Sequence, residues 1–384
     1  MNHLDTRLDA ELAALDGGHR RRRLRAFGTR DGHLVSAGGQ ALIDASSNDY
    51  LGLSQHPRLR ERAAEWALRH GAGAPSSRLV TGTREITLAV EERLATFKQR
   101  EAALLFSSGF QANATVIPAL ARLDDGTAIF SDALNHASII HGARAARCPV
   151  QVFRHNDLDH LDQLLARHSG PKLVVTESVF SMDGDRADLP ALAALALRHG
   201  ATLYVDEAHA TGVLGAQGRG LAAGIEGVDV VMGTLGKAFG AFGAYVAGSR
   251  NLIDWLVNRC AGFVFTTALP PAVLGAVDAA LDLVPDMDAE RARIAANAGR
   301  LREALARAGR DTLHSSTQIV PALIGGEAEA LGAARRLEEE GILAVAIRPP
   351  TVPPGSSRLR LAISSSLDDE AMQRLLAAVD SALG

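Results

Sequence analysis

Cysteine is scarce: Cys148 and Cys260 are the two in 384 residues. Two cysteines cannot make a disulfide framework, and with no CxxC pair or His/Cys cluster beside them they suggest no zinc site. This fits a reducing compartment. Long apolar runs are lacking as well; none approaches the roughly 20 residues that span a bilayer. The opening stretch carries Asp5, Asp9 and Glu11 in a helical pattern and does not read as a signal peptide. There is no strong excess of one charge. A formal net charge of −4 gives no global reason to expect nucleic acid or a membrane as partner. The chain is therefore expected to work in the cytoplasm. One segment departs from this balance: Arg20, Arg21, Arg22, Arg23 and Arg25 form a basic run, either a solvated charged stretch or an anion contact for a substrate.

What is present is an ordinary globular composition, 47% hydrophobic and 22% charged, in a chain long enough for two or three domains. Residues 46–53 (SSNDYLGL) and 71–82 (GAGAPSSRLVTG) are rich in turn-forming residues. From about residue 100, short apolar runs at 102–106, 128–130, 150–153, 173–175, 203–205, 228–232 and 244–247 alternate with helical stretches. Strands this apolar, separated by helices, predict an α/β fold with a mostly parallel sheet covered on both faces. After Pro270 and Pro271 come long helical stretches, then strand-like runs at 319–324, 343–347 and 359–363. The expected division is an N-terminal helix and arm at 1–50, a large domain at 51–270 and a smaller α/β domain at 271–384.

Ligands of such sheets sit beyond the carboxyl ends of the strands, so the residues after each run carry the most weight. Asp206 and His209 follow 203–205; an aspartate there can pair with a protonated ring nitrogen, and a nearby histidine can contact the same ring. Lys237 follows 228–232 between Gly236 and Gly240, in GTLGKAFG. Glycines let a backbone approach a bulky group, and a lysine in a partly desolvated cationic site becomes a usable amine nucleophile. This is not a Walker A loop, because the upstream glycine spacing is missing and Ala238 follows the lysine. Ser107, Ser108, Gly109 and Phe110 follow 102–106 and open a helix, where amide groups can bind phosphate. Thr234 can offer a hydroxyl to the same group. His136 follows 128–130 on the same rim, and Thr176, Glu177 and Ser178 follow 173–175. Together these are the groups needed to hold and tune pyridoxal phosphate. An NAD-binding reading fails for want of a GxGxxG between a strand and a helix.

The strings DEAHATGVLG, TLGKAFG, FSSGFQAN, NHASIIHG and ESVFSMDGD resemble the motifs of the α-oxoamine synthases, fold-type I pyridoxal-phosphate enzymes, and the resemblance runs nearly end to end. Members condense an amino acid with an acyl-CoA and lose CO2. The tail at 346–361 (AIRPPTVPPGSSRLRL) is most similar to members that join L-alanine to pimeloyl-CoA or pimeloyl-acyl-carrier protein in biotin formation, whereas NHASII also resembles members that use glycine and acetyl-CoA. The resemblance implies a large domain with a seven-stranded sheet and a homodimer with shared sites. It implies that Lys237 forms the Schiff base, Asp206 pairs with the ring nitrogen, His136 stacks on the ring and His209 bonds its phenolic oxygen. Gly109, Phe110, Ser181 and Thr234 would surround the cofactor, with Thr266 or Thr267 reaching the phosphate in the partner subunit. Arg360 would hold the amino-acid carboxylate, with Asn48 near it, and Arg21, Arg348 and Thr351 would border the acyl chain. The chain departs from the family in having no histidine among Glu85, Ile86, Thr87 and Leu88, and in Ala210 where glycine is common.

Overall fold

A computed structural model describes residues 2–30, 33–36 and 38–384. The chain divides into two compact units. The larger comprises residues 49–181 and 186–292, the smaller 1–48, 182–185 and 293–384. Among the described residues no helix is long and apolar enough to cross a membrane.

The larger unit is built on seven strands: β1 (Ala102–Phe106), β2 (Ala128–Asp132), β3 (Val150–Phe153), β4 (Lys172–Glu177), β5 (Thr202–Asp206), β6 (Val230–Thr234) and β7 (Ala244–Gly248). Their order across the sheet is β1-β7-β6-β5-β4-β2-β3. All adjacent pairs are parallel except those of β7, which runs against both neighbours. Successive side chains of a strand face opposite ways. Leu173, Val175 and Tyr204 therefore enter one core with Ile117 and Leu256, while Val174, Leu203 and Val205 enter the other with Leu161 and Leu192. Helices cover both faces, which is why these strands read as unbroken apolar runs. Side chains at the helix starts fix where each begins: Ser108 caps Gly109–Ala121, Asp157 caps Leu158–Arg167 and Asp188 caps Leu189–Arg198, each through a side-chain oxygen accepting a backbone N–H.

Helix Pro271–Leu283 packs on helices Pro57–His70 and Glu85–Lys98. Arg62 and Arg93 both pair with Asp278. The larger unit accordingly runs past Pro270 and Pro271 to residue 292. The smaller unit holds an antiparallel sheet of Ile319–Gly325, Ser357–Ala362 and Val345–Ile347, with helices Glu327–Glu339 and Asp369–Leu383. Its N-terminal segment adds strand Ala41–Asp44, which pairs in parallel with Ile342–Leu343. The run at 343–347, expected as one strand, is thus two. The chain leaves one sheet after Leu343 and joins the other at Val345, a change of partner that composition does not reveal.

Candidate active site

Five strand ends of the larger unit meet around a cavity of about 190 Å³. Gly109, Phe110, His136, Asp206, His209, Thr234 and Lys237 all line it. These come from β1, β2, β5 and β6, so the structure brings together seven residues singled out by position in the chain. Asp206, 4% exposed, is held by two donors: Asn113 Nδ2 to Oδ2 and the Ala208 amide to Oδ1, both at 2.8 Å. Burial pulls its pKa upward, while Asn113, Lys237 and the Ala208 amide oppose the rise. Lys237 Nζ lies 2.7 Å from His209 Nε2, and His209 Nδ1 lies 2.7 Å from the hydroxyl of Tyr50. His136 begins helix Ala137–Ala146, its Nδ1 accepting from the Ser138 amide. Burial lowers its pKa. At the start of helix Gly109–Ala121 the Gly109 and Phe110 amides lack helical acceptors, and with the helix dipole behind them they can bind an anion.

Three cavity residues had no role assigned from sequence. Asn113 and Ser138 join Asp206 to His136. Glu177 lies opposite Asp206 in the β4–β5 register, and its Oε1 accepts the His136 backbone N–H at 2.6 Å. Burial, then the charge of Asp206, hold the Glu177 carboxyl well above the usual range. Two buried carboxyls this close do not both ionise readily, and the one with more donors, Asp206, keeps the charge. Beneath the site, Lys98 and Glu207, both fully buried, pair at 2.6 Å. Glu207 also accepts the Leu221 and Ala222 amides, which ties down the loop carrying Asp206 and His209.

Ser181, 8% exposed, lies outside the lining of this cavity. Thr266 and Thr267 line a separate small cavity with Ser107 and Gln111, and Thr266 Oγ1 accepts from Gln111 Nε2 at 2.7 Å. Arg21, Asn48, Arg348, Thr351 and Arg360 belong to the smaller unit. Within it Arg360 Nη2 donates to Asn48 Oδ1 at 3.1 Å. Arg21 pairs with Asp16, and the arginine that bonds Thr351 is Arg22, at 2.9 Å. Burial, then the charge of Arg22, lower the Arg348 pKa, and Arg348 Nε is buried without a hydrogen-bond partner among the described residues.

The sequence pattern of class I and II aminotransferases matches residues 40–379. The chain belongs to that family. Among curated members it is 54% identical to an 8-amino-7-oxononanoate synthase of Gluconacetobacter diazotrophicus, over 100% of this chain and 98% of the relative. It is 51% identical to one of Anaeromyxobacter dehalogenans, over 98% of this chain and 95% of the relative. Among solved structures of the family, serine palmitoyltransferase of S. paucimobilis, with a bound pyridoxal-phosphate–myriocin adduct, matches at a TM-score of 0.91 and 30% identity, covering 100% and 98% of the two chains. An 8-amino-7-oxononanoate synthase of Francisella tularensis matches at 0.76 and 27%, covering 88% and 97%. The fold is that of the fold-type I enzymes.

Proposed function

We propose that this chain catalyses the reaction of the 8-amino-7-oxononanoate synthases it resembles: pyridoxal-phosphate-dependent condensation of L-alanine with a pimeloyl thioester, with loss of CO2. The observation that carries this reading is one cavity holding an amine, a buried carboxylate, two imidazoles and a helix N-terminus. That donor set fits a phosphorylated pyridine aldehyde. Lys237 would offer the amine for the aldehyde, Asp206 would pair with the ring nitrogen, and the Gly109 and Phe110 amides with Thr234 would take the phosphate. When bound, the cofactor supplies an electron sink for bond breaking at the amino-acid α-carbon.

The chain's own groups do the rest. Lys237 would anchor the cofactor and, as a free amine, would serve as the base that takes the α-proton and returns one at the end. Asp206 would keep the ring nitrogen protonated, an attraction worth far more in a dry site than in water. His136 would lie against the ring and His209 would bond its phenolic oxygen. Ser181 completes the cofactor's surroundings. Arg360 and Asn48 receive the alanine carboxylate. Arg21, Arg348 and Thr351 border the acyl chain, whose far carboxylate suits the cationic pair of Arg22 and Arg348. CoA or an acyl-carrier protein delivers the acyl group, in the cytoplasm. Phe265, Val80, Phe242, Leu88, Leu79 and Phe110 of the larger unit are each 50–83% exposed. So much exposed apolar surface supports a homodimer, with Thr266 or Thr267 serving the partner's phosphate.

The test compares turnover of alanine plus pimeloyl thioester with glycine plus acetyl-CoA. The first pair is expected to react; turnover of the second alone would transfer the reading to a glycine C-acetyltransferase. The protein should also take up pyridoxal phosphate with a visible band that borohydride removes and Lys237→Ala lacks. A colourless protein that takes up no cofactor refutes the whole reading.

A further inference from the structure

Five side chains in and behind the cavity wall form a single hydrogen-bonded series. Tyr204 donates its hydroxyl to Asn113 Oδ1 at 2.7 Å. The Asn113 amide nitrogen gives one hydrogen to Asp206 Oδ2 at 2.8 Å and the other to Ser138 Oγ at 2.9 Å. Ser138 Oγ lies 2.7 Å from His136 Nδ1, and the Ser138 backbone N–H points to the same nitrogen at 3.2 Å. Asn113 and Ser138 are each 1% exposed, so solvent does not substitute for any of these partners.

The directions follow from what each group can donate. A carboxylate only accepts, so Asp206 requires the nitrogen side of the Asn113 amide. Ser138 Oγ then receives from Asn113, and its own hydrogen is left for His136 Nδ1. The Ser138 backbone N–H can only donate. His136 Nδ1 thus faces two donors and carries no proton, which leaves the ring's one proton on Nε2. The charged groups around the ring do not settle this: Asp206 on β5 favours a charged imidazole and Lys237 disfavours one. Glu177 on β4, its carboxyl pushed well above the usual range by burial, and His209 lie in the same wall.

We propose that Asn113 and Ser138 are positioning residues that hold His136 as the neutral Nε2–H tautomer, with the same Asn113 amide fixing the Asp206 carboxylate. One buried amide then sets the state of both groups that would bracket a pyridine ring. The catalytic meaning rests on the function proposed above: a neutral imidazole can lie against a protonated ring without like-charge repulsion.

The test is 15N spectroscopy of histidine-labelled full-length protein before and after loading with pyridoxal phosphate, the His136 signals assigned with His136→Gln. The wild type should show an unprotonated Nδ1 and a protonated Nε2, titrating below the ordinary histidine range. Asn113→Asp is nearly isosteric but has at most one proton to share with Asp206, so it no longer donates to Ser138. It should raise the His136 midpoint by about one pH unit or more, a tenfold change in proton affinity, and shift the pH midpoint of the visible band in the loaded protein. Ser138→Ala, which keeps the backbone donor, should give a smaller rise. A proton on Nδ1 in the wild type overturns the proposal, as does an unmoved midpoint in the folded variants. If Asn113→Asp does not fold, the wild-type tautomer and Ser138→Ala still decide. Failure of the cofactor reading shows separately, as absence of any visible band.

Discussion

Replacing Lys98 by methionine should lower the melting temperature of the cofactor-free protein by about 10 °C. Lys98 and Glu207 have no exposed side-chain surface and pair at 2.6 Å, and Lys98 also donates to the Arg219 carbonyl. Methionine keeps the apolar stem but leaves a buried carboxylate without its cation. Removing one partner of a buried pair costs roughly 3–5 kcal/mol. Glu207 retains the Leu221 and Ala222 amides at 2.6 and 2.9 Å, which places the expectation at the lower end. Each kcal/mol moves the melting point of a unit this large by about 2–4 °C. Adding Glu207→Gln should recover part of the loss, because no bare charge remains. Burial presses Lys98 toward losing its proton, but Glu207 more than offsets this and the pKa lies above its ordinary value. A raised lysine pKa contributes stability that is complete below the unfolded value and is lost only as pH climbs through the folded one. The contribution of Lys98 in the wild type should therefore be flat from about pH 6 to 9. Circular-dichroism melts at fixed protein concentration measure it. A fall under about 2 °C, or a double variant as unstable as the sum of the single changes, refutes the reasoning.

Other expectations follow from the same geometry. The raised Glu177 pKa means that its contribution is complete below the unfolded value, about 4.3, and declines as pH rises through the folded one. Glu177→Gln, which does not titrate, should gain on the wild type in melting temperature with rising pH, and a pH-independent difference would count against a buried protonated carboxyl. Gly240 has φ +61°, and a Cβ there would stand 2.4 Å from the backbone at Leu53 and Ser54; Gly240→Ala should cost at least about 2 kcal/mol in urea unfolding. Arg360→Lys loses the planar fork that matches a carboxylate and should raise KM for alanine about tenfold with a smaller change in kcat. An unchanged KM would remove Arg360 from the alanine site.

Much of this was legible in the chain because a parallel sheet gives a simple rule. Apolar runs mark the strands, and the residue after each parallel run lies on one rim; only the antiparallel strand at 244–248 points the other way. That rule alone brings Lys237, Asp206, His209 and His136 together, along with the helix start at Gly109. It does not reach Asn113, Ser138, Glu177 or Tyr50, whose importance lies in pairings between distant segments. Asn113 sits four residues into its helix, past the turn that marks the rim. Glu177 was seen at a strand end, but its proton depends on lying opposite Asp206, which only the register provides. Nor could composition separate Arg21 from Arg22 in a run of arginines, where the local partner Asp16 and the distant Thr351 make the distinction.

The burial of Lys98 has a further consequence for how the protein meets reactive small molecules. Lysine occurs only at positions 98, 172 and 237. One of these is sealed against Glu207, and the other positive side chains are arginines, which do not form imines at neutral pH. A carbonyl compound in the surrounding medium thus finds Lys237 and the half-buried Lys172 as its only accessible side-chain amines among the described residues. Sugars and stray aldehydes have few other side chains to modify, and among the lysines an amine-directed label would couple only at Lys172 and Lys237.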